Sequence, residues 1–532
     1  MSNPPVIAPP LDTESRPATA RPQPPEPRGF AAAARAANTV YRQVDGVDEL
    51  PRPMTEAELA TLGDPMAELL LRRGTFPTTL PALLEGLAEV AGRDVVDGVF
   101  LISESGQIPP EVAPGLRRDI RFAIVCTVRG RETDLLISAG ANVDPARTFL
   151  QVAAWDERAG AFNFYMRSGT TWIWAGDSWA ALEPETRGRG CFDSHVNGGV
   201  VMKELKQPWI NWQSMSASIR LAADAPLRTD PLYQRVEGAE ELEIKMRGLV
   251  GRWTAARLSR VAGGEAVEHP DRLLRQLLTT TTVNLTSTET ASAAVTRDLV
   301  LPSGFWLNTD LLINSLHLPA AHRAWPAVPA AHYLRSLTNF GFRLEDPESG
   351  FFKSGDTFFA FLVPEVADED NEVVRQMVRR GLITARFAAC ALMVDFANPV
   401  FSPARAALMR YVPTGTSPAA TLGESIATAI VTAAAARPAG SPEAQFAANW
   451  ALAEDEWKPE FGRRLTTYLD AVADRARTEA GFDDYVRLAE SRRLDFRDTR
   501  LHEFALTLPV TEIARDAARL QMNADGTVST RV

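Results

Sequence analysis

Apolar and polar positions fall into three regimes along this chain. From about residue 55 to 92 the apolar residues recur at three- and four-residue spacing. "TEAELATLGDPMAELLLRRG" ends at Gly74, and "TTLPALLEGLAEVAGRD" opens on a threonine with Pro81 in its first turn, so both predict helices. From about 96 to 176 the period changes to two. "DGVFLISES", "RDIRFAIVCTV", "ETDLLISAG", "FLQVAAWDE", "AFNFYMRSG" and "TWIWAGD" predict six strands, and "RGR" and "RAG" supply turns. Strands this close in sequence predict an antiparallel meander. Beyond about 200 the helical spacing returns in "AEELEIKMRGLVGRWTAARLSRVAG", "PDRLLRQLL", "EDNEVVRQMVRRGLI", "RFAACALMVDF", "PARAALMRYV" and the stretch 442–492. "AVTRDLVLP" and "DTFFAFLVP" predict short strands within it. The pattern therefore predicts an α+β protein, with an antiparallel, β-rich N-terminal half and a large, mainly α-helical C-terminal half.

The ends of these regimes suggest boundaries. Nine of the first thirty residues are proline, which fixes φ and removes backbone donors. Residues 1–35 are expected to be a disordered, proline-rich tail, 36–200 a β-rich domain with N-terminal helices, and 201–532 a mainly helical domain. No internal repeat of 20–50 residues is visible.

Composition narrows the function. With 56 Lys+Arg against 67 Asp+Glu, the net charge is −11. An acidic chain without a clustered basic face is a poor match to a phosphate backbone, so no nucleic-acid partner is expected. Three cysteines, Cys126, Cys191 and Cys390, cannot build a disulfide framework and point to a reducing compartment. No signal-peptide pattern and no run of about 18 apolar residues is present, so the expectation is a cytoplasmic protein with no membrane partner.

Candidate chemistry concentrates in "WIWAGDSWAALEPETRGRGCFDSHVNGGVVMKELKQPWINWQS", residues 172–214. It holds five of the eleven tryptophans: Trp172, Trp174, Trp179, Trp209 and Trp212. Its centre is a glycine-punctuated loop that offers Cys191, Asp193, Ser194 and His195 between the last strand and a helix expected to begin near Val200. "C-F-D-S-H" resembles the C-x-x-C-H haem attachment pattern with Ser194 in place of the second cysteine, and residues 187–212 are similar to a segment of large bacterial cytochrome-c-like proteins. The resemblance implies that Cys191 matches the thioether cysteine and His195 the axial ligand. Serine forms no thioether. The resemblance therefore leaves two readings, a loop that kept its shape and lost its cofactor, or a haem held by His195 without covalent attachment. In the second, Met202 is a further soft ligand and Trp209 and Trp212 form an apolar wall. A plain structural role, with the imidazole organising a glycine-rich turn around Asn197, accounts for His195 as well.

Other constellations are weaker. "AGDSWAAL" approximates the G-x-S-x-G elbow of serine hydrolases around Ser178, but Pro184 cuts the following helix short, so a capping role for Asp177 or Ser178 is favoured. His317, His322 and His332 are spaced by five and ten residues and broken by prolines, which is not a metal-ligand pattern. Asp356 and Asp395 sit beside aromatic residues and prolines as candidate buried bases. Cys390 lies in an apolar helix and reads as core. The expectation is an oxidoreductase, haem-associated and centred on Cys191–His195, acting on a small-molecule substrate or redox partner. Catalysis falls to His195, Asp193 and Ser194. The alternatives are a hydrolase using Ser178 or Cys191 with His195, and a non-catalytic interaction protein.

Overall fold

The computed structural model describes residues 38–116, 118–141, 149–289, 295–320, 325–356, 359–498 and 508–531. The expected proline-rich tail and His322 lie outside them. Two short strands, β1 (Val40–Arg42) and β2 (Arg52–Pro53), precede helices α1 (Glu56–Thr61), α2 (Pro65–Leu69) and α3 (Leu80–Ala91). Each helix starts where a side chain takes up its free amides. Thr55 and Glu58 form a capping box on α1, Asp64 accepts from Ala67 N–H on α2, and Thr79 accepts from Ala82 N–H on α3.

The six period-two segments form β3 (Val96–Ile102), β4 (Arg121–Cys126), β5 (Leu135–Gly140), β6 (Leu150–Asp156), β7 (Ala161–Ser168) and β8 (Thr171–Asp177). Each pairs antiparallel with the next. The whole sheet has nine strands and is mixed, in the order β2-β1-β8-β7-β6-β5-β4-β3-β9. β1 runs parallel to β8, with Val40 opposite Trp172, and β9 (Val236–Glu237) runs parallel to β3, with Val236 opposite Val99. Strands of two or three residues carry no readable period, which is why the sequence pattern leaves these parallel edges out.

Both faces of the sheet are covered. Val99, Leu101, Ile124, Ile137, Val152 and Trp172 pack beneath α2 and α3, on Met66, Leu83 and Leu87. Phe100, Ile102, Val125, Phe162 and Phe164 face the long helix α4 (Ala239–Val261) through Leu242, Met246, Leu249 and Trp253. This double cover explains the nearly continuous burial along β3 and β7 where a one-faced strand would alternate. The α4 side of the core also takes in Val283, Leu285, Phe359, Val400 and Phe496, so one apolar cluster runs through residue 200. The chain from Ala37 onward forms one compact unit.

A second large cluster belongs to the helices that follow. They include α5 (Pro270–Leu278), Ala330–Asn339, Asp368–Arg379, Ala385–Leu392, Leu422–Ala434, Pro442–Trp450, Trp457–Ala476 and Glu479–Asp498. None of the described helices is long and apolar enough to cross a membrane.

The helix expected near Val200 is not present. Between β8 and β9 there are only short turns, among them Ala180–Leu182, Gly190–Asp193 and Pro226–Thr229. The reason lies in where the backbone groups go. Leu285 N–H donates to the Lys203 carbonyl, Leu205 N–H donates to Asn284 Oδ1, and the Glu204 carboxylate accepts from Ile210 N–H at 2.6 Å and Asn211 N–H at 3.1 Å. Groups committed sideways in this manner cannot serve an i to i−4 ladder.

Candidate functional site

The glycine-rich loop after β8 is pinned from several directions. Asp177 Oδ1 accepts from Ala180 N–H at 2.8 Å and so caps the turn that opens it. Gly198 holds φ +77, and a Cβ there would sit 2.4 Å from the Ser178 carbonyl oxygen, so only glycine fits this crossing. The Trp253 indole of α4 donates to the Asn197 carbonyl at 2.8 Å. Asn197 Nδ2 donates to Thr281 Oγ1 at 2.8 Å and to Asp370 Oδ1 at 3.2 Å, which ties the loop to the helix Asp368–Arg379.

Between this loop and the segment after α5 lies a cavity of about 280 Å³. That is near the lower end of the roughly 300–1,000 Å³ typical of small-molecule sites. Arg187, Gly188, Asp193 and Val196 form the loop wall. Thr280, Thr281, Thr282 and Val283 form the facing wall, and Phe401 and Phe496 complete it.

Each threonine hydroxyl is already engaged in a hydrogen bond. Thr280 Oγ1 accepts from Phe401 N–H at 2.8 Å. Thr281 Oγ1 donates to Asp370 Oδ1 at 2.6 Å, and Thr282 Oγ1 accepts from the buried Lys203 ammonium at 2.6 Å. Asp370 is 1% exposed and receives a third side-chain donor, Gln276 Nε2, at 3.1 Å. Burial pushes its carboxyl up to about 6, against the pull of Thr281 and Gln276. Burial likewise pushes Glu369 up to about 7, with Lys203 opposing and the Asp370 charge adding. Glu369 keeps partial exposure at the surface, so its shift weighs less than that of Asp370.

Cations surround the same wall. Arg187 has its affinity for protons lowered by burial and by Arg275, and its guanidinium makes no hydrogen bond or ion pair among the described residues. Arg257, 2% exposed, donates only to neutral oxygens, Gln276 Oε1 and the Arg272 carbonyl, and burial brings it down to about 10.

A raised carboxyl is not by itself a site. Asp64 is pushed up to about 6 and Glu204 to about 7, both by burial. Their oxygens serve structure: Asp64 caps α2 and accepts from Asn163 Nδ2 and Tyr165 Oη, and Glu204 holds the Trp209–Trp212 turn. Asp370 differs in its direct link, through Thr281, to an open volume.

Of the residues singled out from sequence, Asp193 lies on the cavity wall. His195 is half-buried beside it. Its Nδ1 is 2.8 Å from the Gly199 carbonyl oxygen, and its ring lies 4.7 Å from that of Phe164. Ser194 is half-buried at the end of the Gly190–Asp193 turn. Met202, Trp209 and Trp212 are buried in the α4-side core together with Phe192. Burial, with Asp193 and Asp45 adding, pushes the Cys191 thiol up to about 12, which leaves almost no thiolate near neutrality. The Ser178 hydroxyl accepts from Phe162 N–H at 2.8 Å and faces the Phe162 carbonyl at 3.4 Å. Neither Ser178 nor Cys191 is hydrogen-bonded to His195. Asp356 is buried on Tyr333 Oη and Phe361 N–H, whereas Asp395 is only half-buried and accepts from Ser402 and Asn398. Among the described residues no group of three or more His, Cys, Asp and Glu is arranged to hold a metal ion.

Sequence reading missed the far wall. Its signals were four consecutive threonines, Thr279–Thr282, and the acids Asp368, Glu369 and Asp370 opening an amphipathic helix. The acids read as ordinary first-turn residues that suit the helix dipole.

The fold is mixed α/β, and the buried carboxyl of Asp370 stands behind a small cavity whose lining is part polar and part apolar. No protein-family model, curated protein or solved structure matches this chain.

Proposed function

We propose that this chain is an enzyme acting on a small molecule, with its active site in the cavity between the 187–196 loop and Thr280–Val283. Asp370 is the proton-transferring group and Thr281 its link to the substrate. The observation that carries this is a carboxyl near neutrality, hydrogen-bonded at 2.6 Å to a hydroxyl on the cavity wall. A proton shared along that bond reaches a bound ligand without moving the buried acid, and a group titrating near the working pH suits proton transfer. A reducing, cytoplasmic setting belongs to the same proposal, on three cysteines that are all unpaired. The test is turnover of a small-metabolite mixture, read by mass spectrometry, with wild type and Asp370→Asn compared. A compound consumed by the wild type and at least about 100-fold more slowly by the variant supports the assignment. Equal consumption by both removes Asp370 from catalysis.

A second reading, a haem-associated oxidoreductase with His195 as ligand, draws on one contact. His195 Nδ1 faces the Gly199 carbonyl, an arrangement that elsewhere fixes the orientation of ligating imidazoles. Haem bound there supplies electron transfer. Hemin titration should then give a Soret band that is lost in His195→Ala, and an unchanged titration in the variant removes this reading.

A further inference from the structure

The substrate class follows from charges that the chain leaves unbalanced around the cavity. Buried and half-buried arginines elsewhere in this protein are held by carboxylates, as Arg247 by Asp368, Arg272 by Glu183, Arg493 by Glu490 and Arg531 by Asp495, or by backbone carbonyls, as Arg405 and Arg492. Arg187, on the cavity wall, has no such partner. Behind the facing wall, the Lys203 ammonium is bonded to Thr282 and Arg257 meets only neutral oxygens. The nearby acids Glu369 and Asp370 offset these cations in part, but neither forms an ion pair with Arg187. An unpaired cation removed from water is costly, and an anion supplied by a ligand relieves that cost.

Hydrogen-bond donors converge on the same place. The Thr280 and Thr282 oxygens each already accept a bond, from Phe401 N–H and from Lys203, which leaves their hydroxyl hydrogens to donate. A guanidinium fork on one wall with two hydroxyl donors on the facing wall offers a planar carboxylate charge-assisted and neutral donors across the same cavity. The remaining walls are apolar: Val196, Val283, Phe401 and Phe496. Asp193 on the loop wall disfavours a second negative charge, which argues against a phosphate dianion.

We propose that the cavity binds a small organic monocarboxylate, its carboxylate taken by Arg187 with the Thr280 and Thr282 hydroxyls and its apolar body seated against Val283, Phe401 and Phe496. This rests on the assignment of the cavity as the active site and adds the chemical class of its ligand.

The test is calorimetric titration of the full chain with benzoate and 3-phenylpropionate, with their neutral amides, and with inorganic phosphate. The carboxylates should bind at least about 10-fold more tightly than the amides, as charge-assisted bonds require. Arg187→Gln should remove that preference, and Arg187→Lys, which keeps the charge and loses the fork, should retain part of it. Unfolding midpoints of both variants without ligand check that they fold, and Arg187→Lys carries the test if Arg187→Gln does not. Equal binding of acids and amides, unchanged binding in a folded Arg187 variant, tighter binding of phosphate, or no binding of either acid would overturn the monocarboxylate. Equal binding of acids and amides by the wild type would leave the cavity standing as a ligand site and sink only the anion. Loss of turnover evidence for Asp370 leaves carboxylate binding untouched.

Discussion

Replacing Asp370 by asparagine should change how stability depends on pH, by an amount the structure sets. The Asp370 carboxyl lies at about 6 in the folded chain against an ordinary 3.8, chiefly because it is buried. At 1.36 kcal/mol per unit the difference is about 3 kcal/mol. The folded state holds its proton more tightly than the unfolded state. The stabilisation from Asp370 is therefore fully present below about pH 3.8, declines as pH rises through 6, and is absent above it. Asparagine does not titrate, so the variant lacks this decline. About 2 of the 3 kcal/mol fall between pH 4.5 and 7.5, a window open to urea unfolding. Relative to wild type, Asp370→Asn should thus gain about 2 kcal/mol on going from pH 4.5 to 7.5, whatever its stability at either pH alone. Comparing the two pH values cancels the fixed cost of the altered hydrogen bonds. Loss of the Asp370 charge also relieves Glu369, which acts in the same direction. A variant-to-wild-type difference that stays constant to within about 0.5 kcal/mol would show that Asp370 is an ordinary carboxylate and undo the acid–base assignment.

Cys191, with its thiol pushed up to about 12, should resist iodoacetamide at pH 8 in the folded protein and react on unfolding; labelling at the rate of a free cysteine would contradict the burial that raises it. Gly188 and Gly198 hold similar backbone angles, φ +69 and φ +77, but a Cβ meets nothing within 4 Å at Gly188 and the Ser178 carbonyl at 2.4 Å at Gly198. Gly188→Ala should cost about 1–2 kcal/mol from backbone strain alone, and Gly198→Ala about 1–3 kcal/mol more; equal losses in thermal or urea unfolding would mean the loop does not cross the chain so closely. Trp253→Phe removes the donor on the Asn197 carbonyl and should cost about 1–3 kcal/mol in the same assay, with no change counting against that anchor.

What the sequence made legible was whatever local repetition encodes. The strands β3 to β8 alternate or run apolar over six to eight residues, and the helical span 55–92 shows in its spacing and in the threonine before Pro81, although the first segment divides at Asp64 into α1 and α2. Pairings across distance left no such trace. Nothing in Val40–Arg42 reports that it lies along Trp172–Trp174, and nothing in Lys203–Leu205 reports that its backbone bonds to Asn284 and Leu285 rather than into a helix. The site divides along the same line. Its loop stood out because glycine spacing and tryptophans are local features. The opposite wall assembles from residues about 90 to 300 positions away in sequence, in the order Thr280–Val283, Phe401 and Phe496, with Asp370 behind it. Within the loop the recognisable motif is Cys191–His195, and Arg187 lies outside it with no pattern to mark it.

The hydrogen bonding of Asp370 sets it apart from the other buried acids. Asp64 and Glu204 are also buried acids, but each uses both carboxylate oxygens to accept donors, a task an amide could not perform because its nitrogen would face them. At Asp370 all three side-chain donors, from Thr281, Gln276 and Asn197, meet on Oδ1. An asparagine would satisfy that oxygen equally and would not titrate, but it would withdraw the negative charge that offsets Arg187 and Arg257. The acid therefore serves the neighbouring cations as well as any proton transfer, and turnover by Asp370→Asn is what separates the two.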